Sequence, residues 1–498
     1  MSIATALQAK IDEKEAIRLA IEGKGVTVTT SVKLSGYASK IGEILTGTSN
    51  TSNDPTYTRP PDWLEIDSLV TAPEQKFVGL YAIFEIANYL AFKFEGNYTV
   101  DWGDGIIQNF ASGVIAQHQY DYNYAGFNGT ESTRGYKQAI VTITPNGGDL
   151  TLIDLKETHS GAIVNYPMRW LDIKTSVPEL TSGYFTCGLC EILKIVGTNK
   201  STWWSQSFED MSALRILEFY MSPLTTYAYN LFSGCRSLNS VPFMNTDSVY
   251  EFTSMFSGCS SLKTIPNLNT GSATNMRQMF YNCPSLEEIP LLDTSNVTDM
   301  KWIFRNCSVL KEIPLFNTIK VTNMEYMLYA CTLIQRIPAL NYSAVTNMRS
   351  FAGATFSLIG FADIYAPFCS TFFAMFDGSG IIKGNLIKSD VSCNFKYLYQ
   401  VCSKLTETTT LDLGLSNSSL TSVYTNGQAA LTTIYPLNVK TSISVTNSNL
   451  DRTNLLRLFN ALVIGTGQTV TITNSIGAVN LTALDRAIAT DKGWTIVG

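Results

Sequence analysis

Cysteine is the residue type whose number and spacing in this sequence could do chemistry. The chain has ten cysteines, and five of them recur every 24 residues: Cys235, Cys259, Cys283, Cys307 and Cys331. In stacked repeats their Cα atoms would lie ~5 Å apart, within disulfide range. Side chains in a ladder run parallel, however, and each cysteine falls on an apolar face with Met and Phe. Because Thr355 and Ser379 take the same position in later repeats, we predict buried thiols rather than disulfides or metal ligands.

A second arrangement, Cys187 and Cys190, has the CxxC spacing of zinc and redox sites. A zinc site would need a second CxxC or a nearby histidine, and neither is present in the sequence. No βαβ pattern of the thioredoxin kind surrounds the pair. We therefore interpret these two residues as irregular repeat cysteines and expect neither a metal nor a cofactor.

Other catalytic chemistry has little support in the sequence. His118 and His159 are the two histidines of the chain, which leaves little room for imidazole acid–base catalysis. The sequence contains no GxSxG, Walker, HExxH or GxGxxG motif. We expect no catalytic residue and no enzyme. Two distant carboxylates could still meet in the fold, so a polysaccharide depolymerase remains an alternative.

The composition of the chain limits the classes of partner that it can bind. Hydrophobic residues make up 45% and charged residues 15% of the 498 residues, and the net charge is −6. This composition excludes a disordered chain and does not favour nucleic-acid binding through a basic face. The most apolar stretch, residues 77–94, is broken by Glu85, Asn88 and Lys93. We therefore expect no membrane insertion.

The elements that position the cysteines come from a repeated unit, CSSLKTIPNLNTGSATNMRQMFYN from Cys259. A fixed period of this length is typical of a solenoid. Four apolar side chains fall at the i, i+3, i+4 and i+7 spacing of one helical face: Met276, Met279, Phe280 and Cys283. A short strand ending at Pro266 precedes them, because proline cannot donate to a ladder. The sequence therefore predicts an α/β solenoid with one strand and one helix per repeat.

The segments FSGCSSLKTIP, DTSNVTDMKWIFRNC and KVTNMEYMLYAC resemble the BspA-like leucine-rich repeats of bacterial surface proteins. The resemblance implies a surface-exposed binding or adhesion role rather than catalysis. We assign residues 151–430 to the leucine-rich-repeat solenoid. Residues 431–498 are assigned to C-terminal repeats and a cap, because two strand-then-helix segments there resemble each other at a spacing of 27 residues.

Residues 75–150 are predicted to form an immunoglobulin-like β-sandwich. The markers YTVDWGDG and HQYDY resemble the PKD-like domain, in which WGDG forms a tight turn between strands. Asp101 and Asp104 are interpreted as turn formers that bond local amides, with a calcium site as the alternative. His118 is interpreted as a structural, hydrogen-bonded residue. The chain is thus predicted to be a multidomain α+β protein.

The first residues form a separate predicted module. Residues 1–46 contain IDEKEAIRLAIEGKGVTV, which resembles the N-terminal segment of tailed-phage structural and fibre-like proteins. That resemblance implies a small helical module for virion attachment and oligomerisation; an ordinary small helical cap is the alternative. Residues 47–74 are predicted as a linker, with residues 47–62 as an exposed polar spacer.

These features together predict a bacteriophage virion structural protein, a tail fibre or a fibre-like appendage that attaches to host cells. It would be assembled in the host cytoplasm and face outward on the particle, since no secretory signal opens the chain. Residues 1–46 would bind other virion proteins, and a homo-oligomer, preferably a trimer, is expected. The alternatives are a capsid decoration fibre and an exported bacterial adhesin.

The receptor, a host surface glycan or protein, is expected to bind a polar strip on the predicted strands. In each repeat the apolar Leu and Ile must point inward, which leaves the two residues between them as the variable, polar part of the strand. These pairs define the strip: Asn239 and Ser240, Lys263 and Thr264, Glu287 and Glu288, Lys311 and Glu312, and Gln335 and Arg336. The alternatives are a merely solvated strip, the tyrosine-rich loop at residues 220–229, and the C-terminal tip.

Overall fold

A computed structural model describes residues 50–52, 54, 56–161, 169–413 and 430–498. These residues are mostly β-structure, with 22 strands and two α-helices among them. They fold as two compact units. The described residues up to Glu251, with Met255–Ser272, form the first unit; Phe252–Ser254 and Ala273–Gly498 form the second. The predicted helical module at residues 1–46 lies outside the described residues.

The first unit contains twelve strands: β1 (Asn50–Ser52), β2 (Lys76–Ile83), β3 (Tyr89–Glu95), β4 (Tyr98–Asp101), β5 (Ile107–Phe110), β6 (Ile115–Gln119), β7 (Lys137–Pro145), β8 (Leu152–Asp154), β9 (Trp170–Ser176), β10 (Ser182–Tyr184), β11 (Ile192–Ile195) and β12 (Ile216–Phe219). One sheet has the order β1-β12-β11-β9-β2-β7-β4-β5, and the other has the order β10-β8-β3-β6.

Aromatic side chains join the two sheets of this unit. Phe77 on β2 meets Phe94 on β3 with ring centroids 5.6 Å apart, and it meets Trp170 on β9 at 5.4 Å. Phe92 lies 5.4 Å from Trp102, and all these rings are buried. Such rings bury large apolar areas in edge-to-face and tilted contacts. They are why residues 76–145 form two packed layers.

The repeat solenoid, which we call the array, begins inside the first of these sheets. Its successive parallel segments are its rungs. β2 pairs antiparallel with β9, and β9 then pairs parallel with β11, which pairs parallel with β12. A Cβ at Gly79 on β2 would come within 2.3 Å of the Trp170 side chain. Glycine is therefore required where the antiparallel layer meets the first rung, because any larger residue would displace that indole.

The described part of the predicted spacer is only partly exposed: Asp54 and Pro60 are buried, whereas Thr56, Thr58 and Pro61 are exposed. β1 pairs antiparallel with β12, and Asp54 is buried and accepts a hydrogen bond from Arg215 at 3.2 Å. Arg59 Nε lies 2.9 Å from Asp172 Oδ2. Burial raises the pKa of Asp172, and the contact with Arg59 opposes that rise. The polar composition of this segment therefore did not predict its specific contacts with Arg215 and Asp172 of the first rungs.

The second unit contains ten strands and two helices: β13 (Arg336–Ile337), β14 (Gly360–Phe361), β15 (Ile364–Tyr365), β16 (Lys383–Gly384), β17 (Ile387–Lys388), β18 (Glu407–Asp412), β19 (Thr433–Leu437), β20 (Ile443–Ser444), α1 (Arg452–Ala461), β21 (Thr469–Thr471), α2 (Ala483–Thr490) and β22 (Thr495–Val497). Their pairings are parallel. The sheets are β13-β14, β15-β17-β18-β16 with β19 on β18, and β20-β21-β22.

The repeat forms a β-solenoid, and the predicted helix of each regular repeat is wrong. Residues 277–282 form successive turns in which Gln278 and Asn282 have φ of 58° and 56°. A left-handed residue interrupts an α-helix. The amides bond to the next rung instead, with Gln278 N donating to Lys301 O at 3.0 Å and Phe280 N donating to Ile303 O at 2.9 Å.

The C-terminal repeats alternate strand and helix as the sequence predicted. Asp451 caps α1 by accepting from Asn454 N at 2.8 Å, and Thr482 forms a capping box with Asp485 on α2. Arg452 joins the two helices by bonding both carboxylate oxygens of Asp485 at 2.8 and 2.6 Å. That hydrogen bonding lowers the pKa of Asp485 to about 2. The capping residues thus also fix one helix on the other.

Candidate binding surfaces

The periodic cysteines are core thiols, as predicted. All ten cysteines are buried, and none of them forms a disulfide. In the second unit Cys307 Sγ donates to Phe280 O at 3.1 Å and Cys331 Sγ donates to Phe304 O at 3.0 Å. Burial raises the pKa of Cys331 to about 12. The thiol therefore stays protonated at neutral pH, and a protonated thiol is a poor nucleophile and metal ligand.

The residues that replace cysteine are also buried and hydrogen-bonded, but with different partners. Thr355 is buried and its hydroxyl donates to Ala352 O at 2.7 Å, and the Ser379 hydroxyl lies 3.5 Å from Cys402 Sγ. These contacts support packing rather than ligation at this position. Within the described ranges no group of three or more His, Cys, Asp or Glu side chains could hold a metal ion.

The Cys187 and Cys190 pair is buried in the first unit. Burial raises the pKa of Cys190 well above its ordinary value, and the neighbouring Cys187 adds to that rise. Cys190 Sγ donates to Ile192 O at 3.1 Å, so its proton is held by the backbone of β11. A redox-active CxxC needs a lowered thiol pKa, and the environment here has the opposite effect.

The acidic turn of the antiparallel layer has the structural role that we predicted. Asp101 Oδ1 accepts from Gly103 N at 3.0 Å, and Asp104 Oδ1 accepts from Ile106 N at 3.1 Å. The other Asp104 oxygen lies 2.7 Å from His118 Nε2, and the imidazole stacks on Trp102 at 4.7 Å. Both partners are buried, which suits His118 to holding the turn against β6.

The polar strip is divided between the two units. In the second unit, six strip residues are exposed: Glu287, Glu288, Lys311, Glu312, Gln335 and Arg336. Gln335 N donates to Lys311 O at 3.1 Å, so these two rungs run in parallel register. In the first unit Lys263 is exposed, whereas Asn239, Ser240 and Thr264 are half-buried. Lys263 N donates to Asn239 O at 3.2 Å.

A shallow concavity, which the sequence did not predict, follows the strip in the second unit. It is lined by six residues of β13, β14 and their flanks: Arg336, Ile337, Ile359, Gly360, Phe361 and Ala362. The side chain of Ile359 is 44% exposed at the position that Gln335 takes one repeat earlier. The strip therefore changes from charged to apolar within one rung.

The tyrosine-rich loop of the first unit forms an aromatic cluster. Tyr227 lies between Trp203 and Tyr250, with centroid distances of 4.8 Å to each ring. Tyr229 is 41% exposed. The loop thus offers aromatic surface next to the backbone bridges that join Trp203, Tyr227 and Glu251, and it remains a second possible contact surface.

A third surface was missed by the sequence reasoning because its residues vary between repeats. We call it the aromatic–cation face and define it by six half-buried residues of the second unit: Arg277, Tyr281, Trp302, Arg305, Tyr326 and Tyr329. Arg305 Cζ lies 4.9 Å from the rings of Trp302 and Tyr326. It lies 5.2 Å from Tyr329 and 5.8 Å from Tyr281. Four rings therefore surround one guanidinium.

Comparison with known proteins concerns the regular part of the array. Two overlapping segments, residues 202–308 and 252–358, match a family model described as "Mycoplasma protein of unknown function, DUF285". The match and the 24-residue solenoid agree with the interpretation of these residues as BspA-like repeats. No curated protein and no solved structure gives a significant match to the chain.

Proposed function

We propose that this chain is a bacteriophage virion structural protein, a tail fibre or fibre-like appendage, whose repeat array attaches the particle to its host. In this role the array is a display scaffold: its core positions are constant and its outer positions vary. The protein acts by binding and not by catalysis, and it needs no cofactor.

The observation that carries the proposal is the exposed strip beside a closed core. Leu286 and Ile289 are buried, while Glu287 and Glu288 between them are exposed. The same inward and outward alternation recurs around Lys311. Because stacked parallel rungs hold such residues at fixed spacing, the side chains can vary without disturbing the fold. A surface of this kind suits recognition of a repeating partner such as a host glycan.

The attachment end of the proposed fibre is residues 1–46, through the resemblance noted above. This segment would bind other virion proteins and form a homotrimer, with the array facing outward on the particle. A segment of this length is too short to bury a robust core by itself, which is why a partner or further copies are expected.

A bacterial surface protein is the second candidate. It is favoured by the description of the matched family as a Mycoplasma protein. In that role the array would have the same binding function, but the chain would be anchored to a cell rather than to a particle.

The decisive experiment locates the protein and then tests its attachment. Cryo-electron microscopy with an antibody to the array should find it on intact virions, and absence from virions together with presence on a bacterial surface would favour the second candidate. Deleting residues 1–46 should leave a folded array but abolish incorporation. Incorporation of the truncated protein at normal stoichiometry would reject the role of this segment.

The strip has its own test. Replacing Glu287, Glu288, Lys311 and Glu312 together by Ser should leave the fold intact, because all four side chains are exposed. Purified wild-type protein should compete with virions for adsorption to host cells, and the quadruple variant should compete less well. Equal competition by the two proteins would exclude the strip as the contact surface and leave the other two surfaces as candidates.

A further inference from the structure

We propose that the aromatic–cation face binds an acidic glycan, with sugar rings stacked on its aromatic side chains and a carboxylate on Arg305. This inference rests on the proposed attachment function, since it names the receptor class and assigns it to a surface other than the strip. It is carried by the geometry around Arg305 and by the charge of its neighbours.

The repeats themselves show that these residues are not needed for folding. The position of Arg305 is Tyr281 one repeat earlier and Tyr329, Gly353 and Asp377 in the following repeats. A position that accepts such different residue types in one array is not constrained by packing. The clustering of Tyr281, Trp302, Tyr326 and Tyr329 around Arg305 is therefore a feature of three successive repeats and not of the fold.

The guanidinium of Arg305 is positioned to bind an anion. Its Nε is buried without a hydrogen-bond partner among the described residues, and four ring centroids lie within 5.8 Å of its Cζ. The buried Nε is closed to a ligand, so a carboxylate would meet the two terminal nitrogens, whose edge matches it by two parallel hydrogen bonds. Fixing the side chain in advance also lowers the entropic cost of binding.

The charges around the face favour a negative ligand. Lys301 Nζ lies 2.8 Å from Glu325 Oε2, so this pair is neutral overall. Within the described part of the chain no ion pair joins Arg277 or Arg305 to a carboxylate, and the Arg277 Nε is also buried without a partner. Two uncompensated positive charges thus lie on one face of a chain whose net charge is −6.

The rings suit a sugar. Tyr281 and Trp302 have centroids 5.8 Å apart and planes inclined at 35°, and Trp302 and Tyr326 have centroids 6.1 Å apart and planes at 89°. The three rings thus follow one another from repeat to repeat without presenting parallel faces. The Trp302 Nε1 is buried and has no hydrogen-bond partner among the described residues. One ring of this group can pack against the apolar face of a sugar while a carboxylate of the same glycan reaches Arg305.

A single-stranded nucleic acid would also stack on aromatic rings beside cations, but its phosphate contacts need a long positive track. Two uncompensated arginines beside a neutral Lys301–Glu325 pair do not provide one. An acidic glycan therefore fits the face better than a nucleic acid does.

The test is isothermal titration of the full chain with two saccharides. The first is a hexasaccharide of alternating glucuronic acid and N-acetylglucosamine, and the second is the same compound with its carboxyl groups reduced to alcohols. The wild-type protein should bind the acidic form roughly tenfold or more tightly than the reduced form, the range of one charge-assisted contact. Arg305→Gln should lose that preference, and Arg305→Lys should retain part of it.

The matched control is Arg349→Gln. Arg349 is exposed and lies 4.9 Å from a single ring, Phe373, and it lies outside the aromatic–cation face. This variant should bind the acidic hexasaccharide within about twofold of the wild type, because one exposed cation–π contact makes a small contribution. Far-ultraviolet circular dichroism and melting temperature should be unchanged for both glutamine variants.

Several outcomes would overturn the inference. They are no measurable binding by the wild type, equal affinity for the two saccharides, equal losses in Arg305→Gln and Arg349→Gln, and tighter binding of a thymidine oligonucleotide at the same face. If the protein still competes for host adsorption in any of these cases, the glycan inference fails while the attachment function stands. Glycan binding by a protein that is absent from virions would instead reject the fibre.

Discussion

The second unit contains two kinds of repeat on one backbone path. In the regular repeats, residues 273–350, each turn begins with Asn or Asp: the side chain of Asn323 accepts from Glu325 N at 3.1 Å. In the degenerate repeats, residues 351–412, Thr371 takes this place and accepts from Phe373 N at 3.2 Å. The backbone bridges nevertheless continue from Asn347 to Thr371 and then to Asn394.

The exposed side chains differ between the regular and the degenerate repeats more than the backbone path does. Both parts expose apolar side chains: Phe356 and Phe368 of the degenerate repeats are 58% and 61% exposed, and Leu291 and Leu315 of the regular repeats are 72% and 63% exposed. They differ along the strip, which is polar in the regular repeats and contains the 44% exposed Ile359 in the degenerate ones. The repeat also shortens by one residue between Ser379 and Cys402. The strands are nevertheless better formed here, since β14 to β18 lie mostly in the degenerate part.

The comparison teaches that a few side-chain roles maintain this solenoid. A side-chain oxygen must begin each turn, an apolar group must fill the interior, and a small buried side chain at the cysteine position must have a hydrogen-bond partner. Residue identity matters less than these roles. The parallel ladder then supplies the remaining hydrogen bonds, as expected when each repeat is stabilised mainly by its nearest neighbours.

The largest expected effect separates interior from exterior aromatic residues. Phe304 is buried and stacks 5.6 Å from Phe280, so Phe304→Ala should lower the free energy of unfolding by about 3–5 kcal/mol, because a cavity remains. Phe356→Ala, in the degenerate part, should change it by less than about 0.5 kcal/mol. Urea denaturation measures both, and equal losses would show that the degenerate part is packed as tightly as the regular part.

A smaller effect concerns the turns. Asn323→Ala removes an acceptor from the Glu325 amide and should cost about 0.5–1.5 kcal/mol. Asn323→Thr should cost less, since a threonine hydroxyl performs this role at Thr371. Urea midpoints of the two variants measure the difference. An Asn323→Thr protein as unstable as Asn323→Ala would mean that the two kinds of repeat begin their turns differently.

A pH experiment compares thiol with hydroxyl. The folded protein holds the Cys331 proton up to a pKa of about 12, whereas the ordinary thiol pKa is 9.0. The unfolded chain therefore releases this proton first, and the contribution of Cys331 to stability is complete below pH 9 and is lost as the pH rises towards 12. In Cys331→Thr, which has the threonine found at position 355, the melting temperature should fall less steeply with rising pH above pH 9 than it does in the wild type. Identical alkaline slopes would contradict this role of the thiol.

The smallest expected effect is a difference in thiol reactivity between the two parts. Cys331 and Cys402 are both fully buried, and burial raises the pKa of each to about 12. An aromatic disulfide reagent should therefore label neither in the native protein, and all ten cysteines should react after denaturation. Mass spectrometry of peptides locates the labels. Selective labelling of Cys402 would show that the degenerate part opens more readily.

Much of the array could be predicted because the same residue types recur every 24 residues in the sequence. The spacing of Cys307 and Cys331 requires equivalent environments, and their apolar neighbours require burial. The turn role of Asp104 followed from local chemistry in the same way. The aromatic–cation face could not be predicted, because its residues differ at each repeat and only stacking brings Arg305 next to Tyr281 and Tyr329.

The helix that was predicted for the regular repeat shows what the sequence alone could not determine, namely the backbone conformation of this segment. The i, i+3, i+4 and i+7 spacing of apolar residues also fits a chain that turns twice and returns its side chains to the interior. The left-handed positions are Gln278, Trp302 and Tyr326 in three successive repeats, residue types that do not favour such a backbone by themselves. No local signal therefore distinguishes the turn from a helix.

The sequence by itself determined the period, the buried sulfur and methionine face, and the polar outer positions, because these depend on which residues recur. Only the tertiary structure decided the path of the backbone between them and the packing of residues 56–62 against the first rungs. The physical reason is that each left-handed turn is stabilised by hydrogen bonds to the next repeat, such as Trp302 N to Glu325 O at 3.0 Å. An isolated repeat lacks those partners, so its conformation becomes favourable only when the repeats are stacked.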